Sequence, residues 1–327
     1  MSDFEEVKYH SKLKHEFIST YLNIYTKNVV SNSVKKGRKL PQLSIFDLYA
    51  ATGWVHCDEG EILGEKETKW EGSALLSAKC MGEYPNSDYL FLNSYHEDPG
   101  KCREQITSLR SSLSEYIKKY PKLTSKIIIK SLPVENAVDE ASVYLNRNYP
   151  SIWILDPYEP KQLPWTVIEK IGNLKGGYRS NKTGDFVVRT PELIINLMSS
   201  YLQRFIDTQP EMATIAIGRP ESEWRPKFEE YNEKYENARL AVLRLYFDRL
   251  AEIYGRDPIP YLVKDKSQRA VIYCMLLCST NNAGYFMMSK DGLERLKQFE
   301  VSEWKPNAER VFYHSKNPTQ RSLFDPF

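Results

Sequence analysis

The sequence is short of the features that usually announce a compartment or a cofactor. It has five cysteines in 327 residues (Cys57, Cys80, Cys102, Cys274 and Cys278), an odd number with no C-x-x-C pair. That argues against a disulfide framework and against a zinc site. No apolar run approaches the roughly 18 residues of a membrane helix. The opening stretch MSDFEEVKYHSK also lacks the apolar segment of a secretion signal. A cytoplasmic protein with no membrane partner is the expectation. Charge of one sign is missing too: the net charge is +2, so no global field draws the chain to nucleic acid. Short basic runs such as VKKGRK and KKYPK read first as solvated loops and helix ends. There is no internal repeat and no G-x-G-x-x-G, which disfavours a bound pyrophosphate.

What is present is periodicity. Leu13, Phe17 and Tyr21, with Ile18, Leu22, Tyr25 and Val29 one row over, have the spacing of a helix. Short apolar runs then alternate with helical stretches: LSIFDLY, DYLFLN, SKIIIKS, SIWILDP and ELIINLM. That rhythm predicts an α/β fold with a parallel sheet and helices on both faces. Near-continuous runs such as KIIIK and IWIL fit central strands. A charged helical insertion is expected over residues 211–266, with Leu240, Leu243, Phe247 and Leu250 as its apolar stripe. Its Arg239, Arg244 and Arg249 either face phosphates or form a solvated face. Residues 267–300 then read as an antiparallel hairpin, RAVIYCMLLCST and YFMMS around a tight NNAG turn, plus a helix. Parallel strands ending in such a hairpin make the Rossmann-like sheet of S-adenosylmethionine (SAM) methyltransferases. Residues 1–210 would be its core and 301–327 a tail.

In such a sheet, ligands bind at the carboxyl ends of the strands. Asp47 ends the first strand, and Tyr49, Ala51 and Gly53 follow it; Gly72 and Ser73 open the next helix, with Ser73 as its N-cap. Small residues would let a cofactor's sulfonium end lie against main chain, and the acid would take its ammonium group. The same letters also describe a strand-ending turn with a capped acid. Asn93 stands at the end of the second strand, where an acid for ribose hydroxyls is expected, with Glu97 and Asp98 a turn further on. At the end of the fourth, Asp156, Pro157 and Tyr158 supply an acceptor for a target amine, a stiff turn and a ring to stack on a flipped base. A Pro-containing loop after a buried strand is the competing description. No cysteine lies beside these loops as a nucleophile, so transfer to nitrogen is favoured over transfer to ring carbon.

Together KHEFISTYLNIY, FDLYAATG with EGSALLSA, WILDPYEPKQLPWTVIEKI, ELIINLM and CSTNNAGYFMMS resemble the three-Cys-motif partner proteins (TcmP). The resemblance implies a SAM-methyltransferase fold and a radical-SAM-type partner carrying the three cysteines. Ala51 and Thr52, Ala74 and Glu159 depart from the family pattern. Near the end of the chain, Gln320, Leu323 and Phe324 match the Q-x-x-L-F spacing of sliding-clamp peptides, or else fold back on their own domain. Clamp binding by the isolated peptide, compared with Leu323→Ala/Phe324→Ala, decides between the two. The functional expectation is a SAM-dependent methyltransferase acting on an amino group of a DNA or RNA base. The alternative is a non-catalytic adaptor of the same fold that grips DNA or its partner.

Overall fold

The structure, a computed structural model, describes residues 5–6, 10–57, 68–123, 126–179, 184–264, 271–281, 285, 288, 313–314 and 320–321. The chain divides into two compact units, Met1–Leu155 with Leu174–Glu192, and Asp156–Asn173 with Leu193–Phe327.

In the first unit, helix α1 (His10–Lys35) buries Leu13, Phe17, Ile18, Tyr21, Leu22 and Tyr25. This is the stripe that the spacing predicts. Strands β1 (Leu43–Asp47), β2 (Ser87–Asn93), β3 (Ile127–Lys130) and β4 (Ser151–Leu155) alternate with α2 (Ser73–Glu83), α3 (Pro99–Lys119) and α4 (Val134–Val143). The four strands are parallel, in the order β3-β2-β1-β4. β4 reads SIWIL and is buried at every position, as an apolar run without alternation should be. Ile152, Trp153, Ile154 and Leu155 have no exposure, and each contributes roughly 2 kcal/mol of apolar burial. Trp153 stacks on Phe46 of β1 with ring centres 4.3 Å apart. The run in KIIIK behaves differently: β3 is an edge strand and half-buried throughout, a correction to its reading as central.

In the second unit, α5 (Trp165–Gly172) precedes strand β5 (Glu192–Leu197), and α6 (Ser199–Thr208), α7 (Pro210–Ile217), α8 (Glu221–Tyr235) and α9 (Ala238–Tyr254) follow. Strands β6 (Ile259–Lys264) and β7 (Val271–Cys278) come last. β7 pairs antiparallel with both β5 and β6, so β5 and β6 run in the same sense. The main sheet has seven strands in the order β3-β2-β1-β4-β5-β7-β6 and is mostly parallel. The expected terminal hairpin is corrected: β7 is a strand, but its hairpin partner is β6, which precedes it. The hairpin's first strand is IPYLVK, inside the segment read as helical. Tyr285, expected in the second strand, is helical, its N–H bonded to the Asn281 carbonyl at 2.9 Å.

Within the expected helical insertion, the segment KFEEYNEKYENARLAVLRLYFDRLAEIYG is broken into two helices. Glu236 is left-handed at φ 48°, and Asn237 caps α9 by accepting from the N–H groups of Arg239 and Leu240. Outside the main sheet, Phe186–Arg189 pairs with Gly176–Arg179, and Trp54–His56 pairs with Lys69–Glu71. Near the end of the chain, Gln320 pairs with His314, while Leu323 and Phe324 lie outside the described residues. Among the described residues, no helix is long and apolar enough to cross a membrane.

Candidate functional site

Strand order reverses at β1. The chain moves from β1 to β2 and β3 on one side, and then to β4 on the other. Ligands in open parallel sheets bind beyond the carboxyl ends at such a point. Asp47 is in register with Leu92 of β2 and Ile154 of β4, so it sits at that end of the first unit's strands.

Asp47 is fully buried, and its Oδ1 accepts from the Tyr49 N–H at 3.0 Å, closing an Asx turn. Ala50 donates its N–H to the Asn93 carbonyl at 2.9 Å. Ala51 follows in the left-handed region at φ 46°, a conformation that strains any residue with a Cβ. Gly53 and Gly72 are small for reasons of packing. Gly53 has φ 93°, and a Cβ there would come 2.9 Å from Cβ of Ser112 on α3. A Cβ on Gly72 would meet the Gly53 carbonyl oxygen at 2.7 Å, and the Gly72 N–H donates to that same oxygen at 2.8 Å. Ser73 is not the N-cap of α2. Gly72 occupies that position without a side-chain bond, and Ser73 is the first helical residue, buried.

Asn93 is corrected more firmly. Its Nδ2 donates to the Leu48 carbonyl at 3.3 Å and to the Leu132 carbonyl at 3.0 Å. Its Oδ1 accepts from the Leu132 N–H at 3.0 Å. At 1% exposure, this amide fastens the chain beyond β1 to the chain beyond β3, and it has no donor left for a ribose. Asp98 is likewise engaged: it caps α3, accepting from Gly100 N–H at 2.7 Å and Lys101 N–H at 3.1 Å. Those amides, Lys101 first, hold its carboxyl below the usual range.

The second unit begins at Asp156, two residues past Ile154. Asp156 is 7% exposed, and its Oδ1 accepts from Asn196 Nδ2 on β5 at 2.8 Å. Tyr273 on β7 is buried, and its phenol is held well above its ordinary pKa by burial and then by the Asp156 charge. The following turn is rigid. Pro157 is buried, and Gln162 Oε1 accepts from the N–H groups of Tyr158 at 2.9 Å and Glu159 at 3.3 Å. Glu159 returns the bond, forming a capping box on the short 3-10 helix Pro160–Gln162. The extra charge at Glu159 is thus a cap. The ring of Tyr158 is 43% exposed.

The chemistry-bearing residues missing from the sequence reading are Asn196 and Tyr273. The available signal was a lone Asn inside ELIINLM. For Arg244 and Arg249 of the insertion, both expectations, phosphate contact and a solvated face, are corrected, while Arg239 is half-buried. Arg244 forms ion pairs with Asp248 and, at 2.8 Å, with Asp257. Arg249 is buried, donates to the Ile217 carbonyl at 3.2 Å and lies 4.5 Å over the Trp165 ring. Cys80, Cys274 and Cys278 are buried, and burial pushes the Cys80 thiol up to about 12 and the other two higher, which keeps these sulfurs protonated.

No family model matches the chain, and no curated protein matches it. Among solved structures, a Legionella pneumophila protein of the family designated DUF519 is similar at 10% identity, with a TM-score of 0.45, over 91% of this chain and 96% of that one.

Proposed function

We propose that the chain is a SAM-dependent methyltransferase with a Rossmann-like sheet, acting on an amino group of a nucleic-acid base. The observation that carries this is the reversed strand β7 lying between β5 and β6, which run in the same sense. Dinucleotide-binding doubly wound sheets use parallel strands in those places. A reversed strand there is how the methyltransferase version ends. The turn Asp156-Pro157-Tyr158 adds a buried acceptor, a fixed turn and an exposed ring at the end of the fourth strand.

The first unit's loop fits the amino-acid end of SAM: a buried carboxylate at Asp47, the amide of Tyr49, and main chain bent by Ala51. SAM supplies an electrophilic methyl group when bound. Asp156 accepts an N–H of the target amine and orients the nitrogen lone pair, and Tyr158 stacks on the base. The ribose is not held by the Asn93 donors.

The adaptor reading has its own observation. Asn93 is fully engaged with main chain, and packing alone accounts for both Gly53 and Gly72. Calorimetric titration of the full chain with SAM and its demethylated product separates the two. The methyltransferase reading expects micromolar binding that weakens at least tenfold in Asp47→Asn with the unfolding midpoint retained. No heat at millimolar ligand would leave the adaptor.

A further inference from the structure

Resting on that reading, we infer that Asn196 makes the acceptor site selective for an unmethylated –NH2 group, so that a monomethylated amine is released and not bound again. Asn196 is a specificity-determining residue in this account, and Asp156 is the group it completes.

The Asn196 amide turns its Nδ2 toward Asp156 and donates to its Oδ1 at 2.8 Å. That fixes the amide plane and commits Oδ1 to its other edge. Asn196 is 4% exposed, and among the described residues its Oδ1 has no hydrogen-bond partner. A buried carbonyl without a donor is among the costlier arrangements in a folded protein. Three residues on, the Oγ of Ser199 is fully buried and also without a partner. On β7, Met275 is the register partner of Asn196, which puts Tyr273 diagonally across on the same face; its phenol stays protonated beside Asp156. The carboxyl end of β5 therefore holds two acceptors in a buried setting, the Asp156 carboxylate and an amide oxygen lacking a donor.

An exocyclic amino group on a base has two N–H bonds in the plane of its ring, which can serve two acceptors at once. Methylation replaces one of them: the nitrogen lone pair would form the new bond to the methyl carbon as that carbon's bond to the sulfonium sulfur breaks, its electron pair staying on sulfur, and the nitrogen gives up one proton, which the Asp156 carboxylate can take. The product has one N–H for two acceptors. Rebinding it would strand Asn196 Oδ1 again and add a methyl group against it. A site that hydrogen-bonds both hydrogens of its ligand rejects the analogue lacking one far better than an apolar site does.

The test uses the full chain and a fluorescently labelled single-stranded oligonucleotide of alternating adenine and cytosine, read by anisotropy. The comparison probe is the same oligonucleotide with every amino group monomethylated. The unmodified strand should bind roughly tenfold tighter, and Asn196→Leu should reduce that ratio to about one while weakening the modified strand little. An unfolding midpoint for Asn196→Leu within a few degrees of the parent excludes collapse, and the parent's own ratio stands without any variant. Equal binding of both probes by the parent overturns the inference, since a buried water then satisfies Asn196 equally well. If SAM binds in that case, the methyltransferase reading survives. Absence of both SAM and oligonucleotide binding overturns both.

Discussion

Two buried asparagines close two strands of this molecule, and they are opposites. Asn93, at the end of β2, has both amide hydrogens on main-chain carbonyls and its oxygen on a main-chain N–H. Asn196, one residue before the end of β5, has its nitrogen on a carboxylate and its oxygen on no donor among the described residues. A satisfied buried amide is a rivet, and a half-satisfied one is a place where a ligand gains more than the solvent can offer. The sequence expectation placed function at the rivet and overlooked the other.

The contrast is broken most directly by stability. Asn93→Leu removes three bonds and leaves the Leu132 N–H buried without an acceptor, so urea unfolding should show a loss of about 3 kcal/mol. Asn196→Leu should cost about 1 kcal/mol or less, because the bond lost to Asp156 is offset by removal of an unmatched oxygen. Equal costs would erase the distinction. In the helical segment, Arg244→Met strands Asp248 and Asp257 and should cost about 2 kcal/mol by the same measurement. Because that arginine is occupied within its own unit, the salt dependence of any nucleic-acid binding should not change. A lower salt slope in Arg244→Met would show that it meets phosphates after all.

Smaller effects sharpen the first loop. Gly53→Ala forces a Cβ against Ser112 at an unfavourable φ and should destabilise by about 2 kcal/mol, whereas Ala51→Gly should gain about 0.5 kcal/mol by relieving a left-handed alanine. If Ala51 is strained to meet a cofactor, that gain comes with SAM affinity unchanged or weaker, never stronger. The smallest change is at Asp98. Its folded pKa lies below the unfolded value, so its stabilisation is present above the unfolded pKa and lost as pH falls through the folded one. Asp98→Asn keeps a cap but loses the contribution of the charge, so it should lower stability slightly at neutral pH and flatten the acid limb, the variant and parent converging below about pH 3.

Much of the fold was legible because apolar runs and helical stripes are local signals. SIWIL is buried at all five positions, and the α1 stripe is the one its spacing dictates. What failed depended on neighbours. IIIK looks central, yet its burial is set by its place at the sheet edge. IPYLVK lies in the segment read as helical, and its proline interrupts a strand pattern; Pro260 is tolerated because β6 is an edge strand. The break between α8 and α9 was readable in principle from Asn237, a residue type that caps helices. The roles of Asn93 and Asn196 were not. Both are single polar letters in apolar strands, and only their partners tell them apart.

The central claim is tested most directly by incubating the purified chain with SAM carrying a tritiated methyl group and pools of DNA, RNA and protein. The account predicts label in nucleic acid, recovered as a base methylated once on its amino group, and a loss of roughly a hundredfold or more in Asp156→Ala with the fold intact. Label that persists in Asp156→Ala, or that enters protein alone, would contradict it.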